Sequence, residues 1–450
     1  MRDSIDFGSM EIPKLFRKLL IPTVVGMVFS AIFIITDGIF VGKGIGSDAL
    51  AAVNITAPLF MITTGIGLMF GVGASVVASI HLSQNKHKVA SINITQALVF
   101  SSLLILLMSA GCFFFLEPIS RFLGSSDRLL PSVMEYMRWY VPFLVFYLLS
   151  TAGMFFIRLD GSPNYAMICN AIAAITNIIL DYIFIFKLGW GLKGAAFATS
   201  IGTMLGGIMT LIYLLFYSRN ISLYRIKLSR KSMQLAIRNI DYMVKLGSSA
   251  FVSEASIAVM MFLGNYVFIR YLGESGVAAF SIVCYFFPII FMVYNAIAQS
   301  VQPIISYNFG QNNRLRVKKA TQLAIKTALV CGICFFTATL LFNKNIISLF
   351  IDPSYEAYNI AAKGIPYFAV GYIFFAFNIV GIGYYQSIEL AKRATIITML
   401  RGTIFMLVGF LLLPHLWEIE GIWLAVPLAE LLTLLFIIGI YAKDHFLVRR

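Results

Sequence analysis

Two aspartates and two polar neighbours stand out because they interrupt long apolar runs. Asp37 lies in AIFIITDGIF, while Asn177 and Asp181 lie in ITNIILDYIFIF, among aliphatic and aromatic residues. Thr199 follows in a third apolar run. A carboxylate surrounded by hydrocarbon is costly and is functional by default. Two carboxylates, an amide oxygen and a hydroxyl are suitable ligands for a hard monovalent cation such as Na⁺, and two neighbouring acids can also share a proton.

The composition places these runs in a membrane. Hydrophobic residues make up 60% of the 450 residues and charged residues only 12%, about half the charged share of a soluble domain. Runs of spanning length, roughly 20 residues each, recur along the whole chain, so we expect an all-α, multi-pass membrane protein whose first run serves as its insertion signal. Twelve runs predict transmembrane helices, at about 14–42, 49–80, 89–116, 130–157, 164–187, 194–218, 240–271, 276–307, 317–343, 358–386, 392–414 and 421–442.

The net charge of +14 is explained by membrane topology rather than by nucleic-acid binding. When the N-terminus is assigned to the cytoplasm, most of the 34 Lys and Arg residues fall in cytoplasmic loops, as the positive-inside rule requires. We therefore expect both termini in the cytoplasm, contact with membrane lipid, and no nucleic-acid partner.

An internal repeat divides the chain into two halves of six predicted spans. Because six is even, both halves start on the same side of the membrane, and such a parallel repeat is typical of secondary transporters. We predict an N-lobe at 1–218, a basic cytoplasmic linker at 219–239 and a C-lobe at 240–450. Three pairs of similar segments share one offset: GSDALAAVNI at 46–55 with GESGVAAFSI at 273–282, SQNKHK at 83–88 with GQNNRL at 310–315, and KGAAFA at 193–198 with EGIWLA at 420–425.

The polar set belongs to the first half alone. If the aspartates served only the fold, each by bonding a neighbouring helix, we would expect polar residues at some of the equivalent positions in the second half. At a rise of 1.5 Å per residue, Asp37, Asp181 and Thr199 each lie roughly 8–9 Å below the outer boundary, and Asn177 shares a helix face with Asp181. The sequence therefore predicts one site that takes up Na⁺ or H⁺. At the repeat offset, the second half has no polar side chain in place of any of the four; the equivalent residues are Gly264, Ile404, Val408 and Val426.

Other ionisable or polar residues lie within the predicted spans. Glu254 and Glu430 either meet a cationic substrate or stay neutral and hydrogen-bonded to packing partners. Arg401 is expected to snorkel or to bond carbonyl groups. Asn170, on the Asn177 face of the fifth span, is a candidate for the wall of a lumen. The sequence contains no nucleophile, metal-ligand or nucleotide-binding motif, so we expect neither enzyme activity nor a cofactor.

Four features of the sequence are familiar together: Asp37 near the outer end of the first span, NIILD at 177–181, the GWGLKGAAFAT loop leading to Thr199, and RLDGSPNYA at 158–166. They resemble the MATE multidrug extrusion family, and its DinF-like bacterial branch in particular, and the resemblance extends over essentially the whole chain. It implies a V-shaped fold of two six-helix lobes. It also implies that the N-lobe cation ligands are Asp37, Asn177, Asp181 and Thr199.

The same resemblance implies a function. A monomer in the bacterial inner membrane would export cationic or amphiphilic small molecules by alternating access, coupled to entry of Na⁺ or H⁺. The first helix would rearrange around Pro22 and Gly26. Many members carry a proline early in the seventh span, where this chain has Ser249, so a matching bend in the C-lobe is not expected. Glu254 lies near an acid of the NorM branch, which would make it a substrate contact.

Two alternatives stay open at this point. A lipid-linked-saccharide flippase of the same superfamily would show intramembrane Arg and Lys residues facing a cavity, and here only Arg138, Lys326 and Arg401 lie within predicted spans. A membrane enzyme or scaffold would need a reactive constellation, or would be indifferent to the two aspartates.

Overall fold

The computed structural model describes residues 5–227 and 229–448. Most of these residues are helical and none of them forms a strand. The α-helices are α1 (Ile12–Gly44), α2 (Ser47–Ser83), α3 (His87–Phe114), α4 (Leu116–Phe122), α5 (Leu130–Tyr140), α6 (Leu144–Leu159), α7 (Pro163–Asp181), α8 (Gly191–Ile212), α9 (Arg230–Gly310), α10 (Arg314–Ser348), α11 (Glu356–Ala369), α12 (Gly371–Ser387), α13 (Ala391–Met399) and α14 (Phe405–Val448).

The predicted number of spans agrees with these helices. In the part of the chain that the structure describes, nine helical segments are long and apolar enough to cross a membrane, and the bent pair α11–α12 makes a tenth. Three of the nine contain a backbone break: α9 at Gly273, α10 at Phe342, and α14 at Trp417 and Glu418. The breaks in α9 and α14 each separate two predicted spans, whereas the break in α10 falls near the end of one predicted span. The result is the twelve-span, all-α architecture that the sequence predicts.

The internal repeat is visible in the backbone as well as in the sequence. A positive φ is uncommon outside glycine and marks a turn that the fold requires. Where two residues at the repeat offset both adopt it, the two halves turn in the same way at the same place. Three such pairs occur among the described residues: Gly46 with Gly273 (φ 131° and 63°), Asn85 with Asn312 (60° and 57°), and Gly191 with Glu418 (57° and 45°).

Contacts divide the chain into two compact units, Met1–Phe251 with Ser306–Asn313, and Val252–Ile305 with Arg314–Arg450. The first unit thus extends beyond the predicted N-lobe, because it includes the linker and the first part of α9. Glycines explain this packing: a Cβ on Gly247 of α9 would clash with the backbone of Met69 in α2, and one on Gly73 would clash with that of Met243. The two backbones therefore meet directly.

The linker follows the surface of α3 and has no regular secondary structure over 221–227. The backbone N–H of Ser222 donates to Ser91 Oγ at 3.0 Å, and that of Tyr224 donates to Thr95 Oγ1 at 3.1 Å. Two residues of an extended chain span about 6.6 Å, and four residues of an α-helix span about 6 Å, so the two spacings are nearly equal. Alternate linker amides therefore match hydroxyls spaced four residues apart on α3.

Candidate cation site

The four polar residues predicted from sequence come together where α1, α7 and α8 meet. Asn177 Nδ2 donates to Thr199 Oγ1 at 3.2 Å, and the Thr199 hydroxyl donates to Asp37 Oδ1 at 3.4 Å. The carboxyl of Asp181 lies close enough to that of Asp37 for the two groups to interact electrostatically. Three helices thus contribute to one cluster of oxygen atoms.

The cluster is short of hydrogen-bond donors. Asp181 and Asn177 are 0% and 1% exposed. Among the described residues, neither carboxyl oxygen of Asp181 nor Oδ1 of Asn177 receives a hydrogen bond. Buried acceptors are nearly always satisfied, and leaving one unsatisfied costs about 1–3 kcal/mol. A proton between the acids, or a monovalent cation among the oxygens, supplies what these atoms lack, so the residues present fit either ion.

Close helix packing brings these side chains together. A Cβ on Gly202 of α8 would lie 2.8 Å from the carbonyl oxygen of Ala173 and 3.0 Å from Cβ of Asn177. Glycine at this position therefore allows α8 to approach α7, and Thr199, one turn earlier on the same face, reaches Asn177. Immediately after Asp181 the chain widens into a π-helix at Tyr182–Lys187, a feature common at functional sites. The periodicity of apolar residues in the sequence does not predict this π-helix.

Two tyrosines of α5 complete the surroundings of the cluster, and sequence reasoning missed them. Tyr136 is buried with its hydroxyl in contact with Thr199. The ring of Tyr140 lies 5.5 Å from that of Tyr136, and its buried hydroxyl has no partner among the described residues. Their spacing of four residues on a predicted span was the available signal, but aromatic residues in apolar segments usually indicate core packing.

The remaining predicted site residues lie elsewhere. Pro22 and Gly26 are buried in α1, and a Cβ on Gly26 would lie 3.2 Å from Nδ2 of Asn170. Asn170 therefore faces the backbone of α1. Gly26 is about 16 Å along the helix from Asp37 at 1.5 Å per residue, so this contact is separate from the cluster. Glu254 is half-buried in the part of α9 that belongs to the second unit.

The second unit contains a buried ion pair that corrects one expectation. Arg401 neither snorkels nor bonds carbonyl groups: its Nε donates to Glu430 Oε1 at 2.8 Å, and both side chains are almost fully buried. Asn378 donates to the other carboxyl oxygen at 2.7 Å, and the guanidinium lies 4.4 Å from the ring centre of Phe375. Glu430 is thus bonded to packing partners, as in one of its two predicted roles, but as the charged partner of Arg401 and not as a neutral acid.

Comparison with known proteins agrees with this architecture. The MatE family model matches residues 22–183 and 249–411, once in each half of the repeat. The chain is 25% identical to a FAD transporter of Shewanella oneidensis, over 96% of this chain and 95% of the relative. It is 24% identical to the multidrug export protein MepA of Staphylococcus haemolyticus, over 94% and 92% of the two chains.

A solved structure shows the same fold. The crystal structure of a MATE protein in the straight conformation aligns with a TM-score of 0.88 over 98% of each chain, at 21% sequence identity. The family model covers most of the chain and recurs at the repeat offset, and the relatives span nearly the whole length. The protein therefore belongs to the MatE family and is a multi-pass membrane transporter, not an enzyme.

Proposed function

We propose that this transporter is a cation-coupled antiporter that exports cationic or amphiphilic small molecules, driven by entry of Na⁺ or H⁺. The observation that carries the proposal is the set of buried oxygens on Asp181 and Asn177 that have no donor, next to the carboxyl of Asp37. Two adjacent carboxylates without a cation or a proton repel each other in a medium of low dielectric constant. Taking up either ion removes that repulsion.

The distribution of the ligands suggests how ion uptake is linked to movement. Asp37 is on α1, whereas Asn177 and Asp181 are on α7 and Thr199 is on α8. A bound cation attracts Asp37 toward α7 and α8, and its release leaves the two acids to repel each other. We infer that loading and unloading favour different arrangements of α1, and that alternating access of the substrate path follows this change.

The substrate class is supported by the relatives and by the chemistry of the second unit. MepA is named a multidrug export protein, which favours drug-like substrates. The FAD transporter favours a second candidate, an anionic flavin dinucleotide. Recognition of a pyrophosphate requires uncommitted cations, and Arg401, one of the three basic residues within the predicted spans, is already paired with Glu430. The same pairing weighs against a lipid-linked-saccharide flippase.

We further propose that the protein works as a monomer in the bacterial inner membrane, with the lobes 1–218 and 240–450 as the units of transport. Both termini are then cytoplasmic. Within the family, we expect the protein to belong to the DinF-like branch. The parallel repeat and the cytoplasmic assignment of the basic linker support this arrangement.

Uptake into everted membrane vesicles, whose outer face is the cytoplasmic face of the membrane, tests the proposal. Ethidium and FAD are supplied separately, under an imposed Na⁺ gradient, an imposed H⁺ gradient or neither. The wild type should move ethidium only when one of the gradients is present. Asp37→Asn and Asp181→Asn should reduce that movement by about tenfold or more, since about 1.4 kcal/mol of lost ion binding is enough for that effect.

Asp241→Asn is the matched control, because Asp241 is an exposed acid paired with Lys245 and far along the chain from the cluster. It should transport like the wild type. Ethidium movement without any gradient dependence would contradict the antiporter. Gradient-dependent movement of FAD but not of ethidium would show that the substrate is an anionic dinucleotide and not a cationic drug, and would leave the proposed ion coupling unchanged.

A further inference from the structure

Arg158 is a buried cation that the ion cycle described above does not use. It lies in the last turn of α6, in the motif RLDGSPNYA, and is 6% exposed. Its Nε donates to the carbonyl of Met154 at 3.0 Å, its Nη1 donates to Thr23 Oγ1 at 3.2 Å, and its guanidinium lies 4.8 Å from the ring centre of Phe155. Burying a guanidinium costs several kcal/mol unless it is well bonded, and the bond to Thr23 is one that joins α6 to α1.

Thr23 lies directly after the proline that interrupts the hydrogen bonding of α1. The preceding residue, Pro22, has no backbone N–H and so removes one helical hydrogen bond there. The Thr23 hydroxyl in turn donates to the carbonyl of Leu19 at 2.8 Å. Arg158, Thr23 and Leu19 thus form a short chain of hydrogen bonds that begins at a positive charge, and charge-assisted bonds are the stronger kind. These hydrogen bonds stabilise the turn of α1 that Pro22 weakens.

Burial divides α1 at the same place. Its buried residues are concentrated between Ile12 and Gly26, and the next fully buried one is Val41. Helix segments with few buried contacts move at a lower free-energy cost than well-packed ones. α1 therefore consists of a segment at 12–26 that contains most of its buried residues and a segment at 27–40 that contains none, and the second segment carries Asp37.

We propose that Arg158 is a positioning residue for ion coupling: by holding Thr23, it fixes the 12–26 segment of α1 to the end of α6, so that ion loading moves only the part of α1 beyond it. This inference rests on the proposed function, since ion loading is the cause of the movement. Without the bond, movement spreads into the 12–26 segment, and less of the ion's binding energy is used to change the position of Asp37.

Thr23→Val tests the inference, because valine keeps the shape of threonine and removes its hydroxyl. Thr23→Ser, which keeps the hydroxyl, is the matched control. Hydrogen–deuterium exchange of α1 is measured in the full-length protein in lipid nanodiscs, with and without Na⁺ and at two pH values. In the wild type and in Thr23→Ser, the ion should change exchange only beyond residue 26. In Thr23→Val the change should extend into 12–26.

A second readout separates positioning from a merely structural role. The ion concentration that gives half-maximal ethidium transport should shift roughly 3- to 10-fold in Thr23→Val, the range expected for one lost hydrogen bond, and stay within about twofold in Thr23→Ser. A merely structural role would lower the melting temperature and leave that midpoint unchanged. If Thr23→Val does not fold, Arg158→Lys, which keeps the charge and loses the guanidinium fork, takes its place with the same expected shift.

The outcomes distinguish the two proposals. If wild-type transport depends on an ion gradient and on Asp37, but Thr23→Val matches Thr23→Ser in both readouts, the role of Arg158 is rejected and the antiporter stands. If the wild type shows neither gradient-driven transport nor an ion effect on exchange, the antiporter is rejected and the role of Arg158 with it.

Discussion

At the level of single residues, Tyr136 and Tyr140 differ in whether their hydroxyl contacts the candidate ion site. The Tyr136 hydroxyl contacts Thr199, whereas that of Tyr140 is buried with no partner among the described residues. Tyr136→Phe should weaken ion dependence by roughly 2- to 10-fold through one lost hydrogen bond and retain transport. Titration of transport rate against Na⁺ or pH measures the effect.

Tyr140→Phe is the control, and it should leave ion dependence unchanged and be neutral or slightly stabilising. Replacing an unsatisfied buried hydroxyl by hydrogen removes a desolvation cost. Equal shifts in the two variants would show that ring packing, not the Tyr136 hydroxyl, acts on the site.

The sequence predicted the four polar residues of the site but not the tyrosines around it, and the reason is physical. An aspartate among aliphatic residues, such as Asp181, has a high cost of burial and is conspicuous. A tyrosine such as Tyr136 is common in a membrane helix whether or not its hydroxyl takes part in binding. The role of Thr23 was missed for a similar reason, since a threonine that bonds its own helix is common.

At the level of elements, the ion pair between Arg401 and Glu430 joins the π-helical segment Leu400–Ile404 to α14, and Asn378 of α12 is bonded to the same carboxyl. Each partner is buried, so removal of one leaves a charge without compensation. Glu430→Gln should lower the free energy of unfolding by about 3–5 kcal/mol, whereas Arg401→Met with Glu430→Leu should cost less, because no charge is left buried. Thermal melting of the detergent-purified protein compares them. A double variant less stable than Glu430→Gln would contradict this reading.

The contact between α2 and α9 makes a second prediction about elements. Gly247→Ala places a methyl group against the backbone of Met69, which cannot move aside as a side chain can. We expect a melting temperature several degrees lower, as overpacking typically costs about 1–3 kcal/mol.

Gly111→Ala in α3 is the matched control, because nothing lies within 4 Å of a Cβ at that position. Helix propensity alone should make it neutral or stabilising by up to about 1 kcal/mol. If Gly247→Ala is equally harmless, the close approach of α2 and α9 is not required for folding.

At the level of the whole molecule, topology can be tested without transport. The positive-inside rule and twelve spans predict that both termini are cytoplasmic. A green fluorescent protein fused after the last residue should therefore fluoresce, because this reporter matures in the cytoplasm and not when exported in unfolded form. A fusion in the turn at 188–190, on the predicted outer side, should stay dark. The opposite pattern would invert the assignment of every loop.

The number of spans and the repeat were predictable at this scale because they depend on length, hydropathy and similarity along the chain. The limits of the two compact units were not. The first part of α9 joins the first unit through direct backbone contact at Gly73 and Gly247. A glycine in a membrane helix indicates close packing, but the sequence does not show which helix is the neighbour.

The position of the linker has a consequence for how the halves stay associated. Residues 222 and 224 are bonded to α3, and the α9 residues that follow the linker pack against α2. The residues on either side of the stretch 225–229, which spans at most about 17 Å when extended, are thus held by contacts of their own. A transporter cleaved there, or produced as two separate polypeptides divided at that point, should still copurify as one particle.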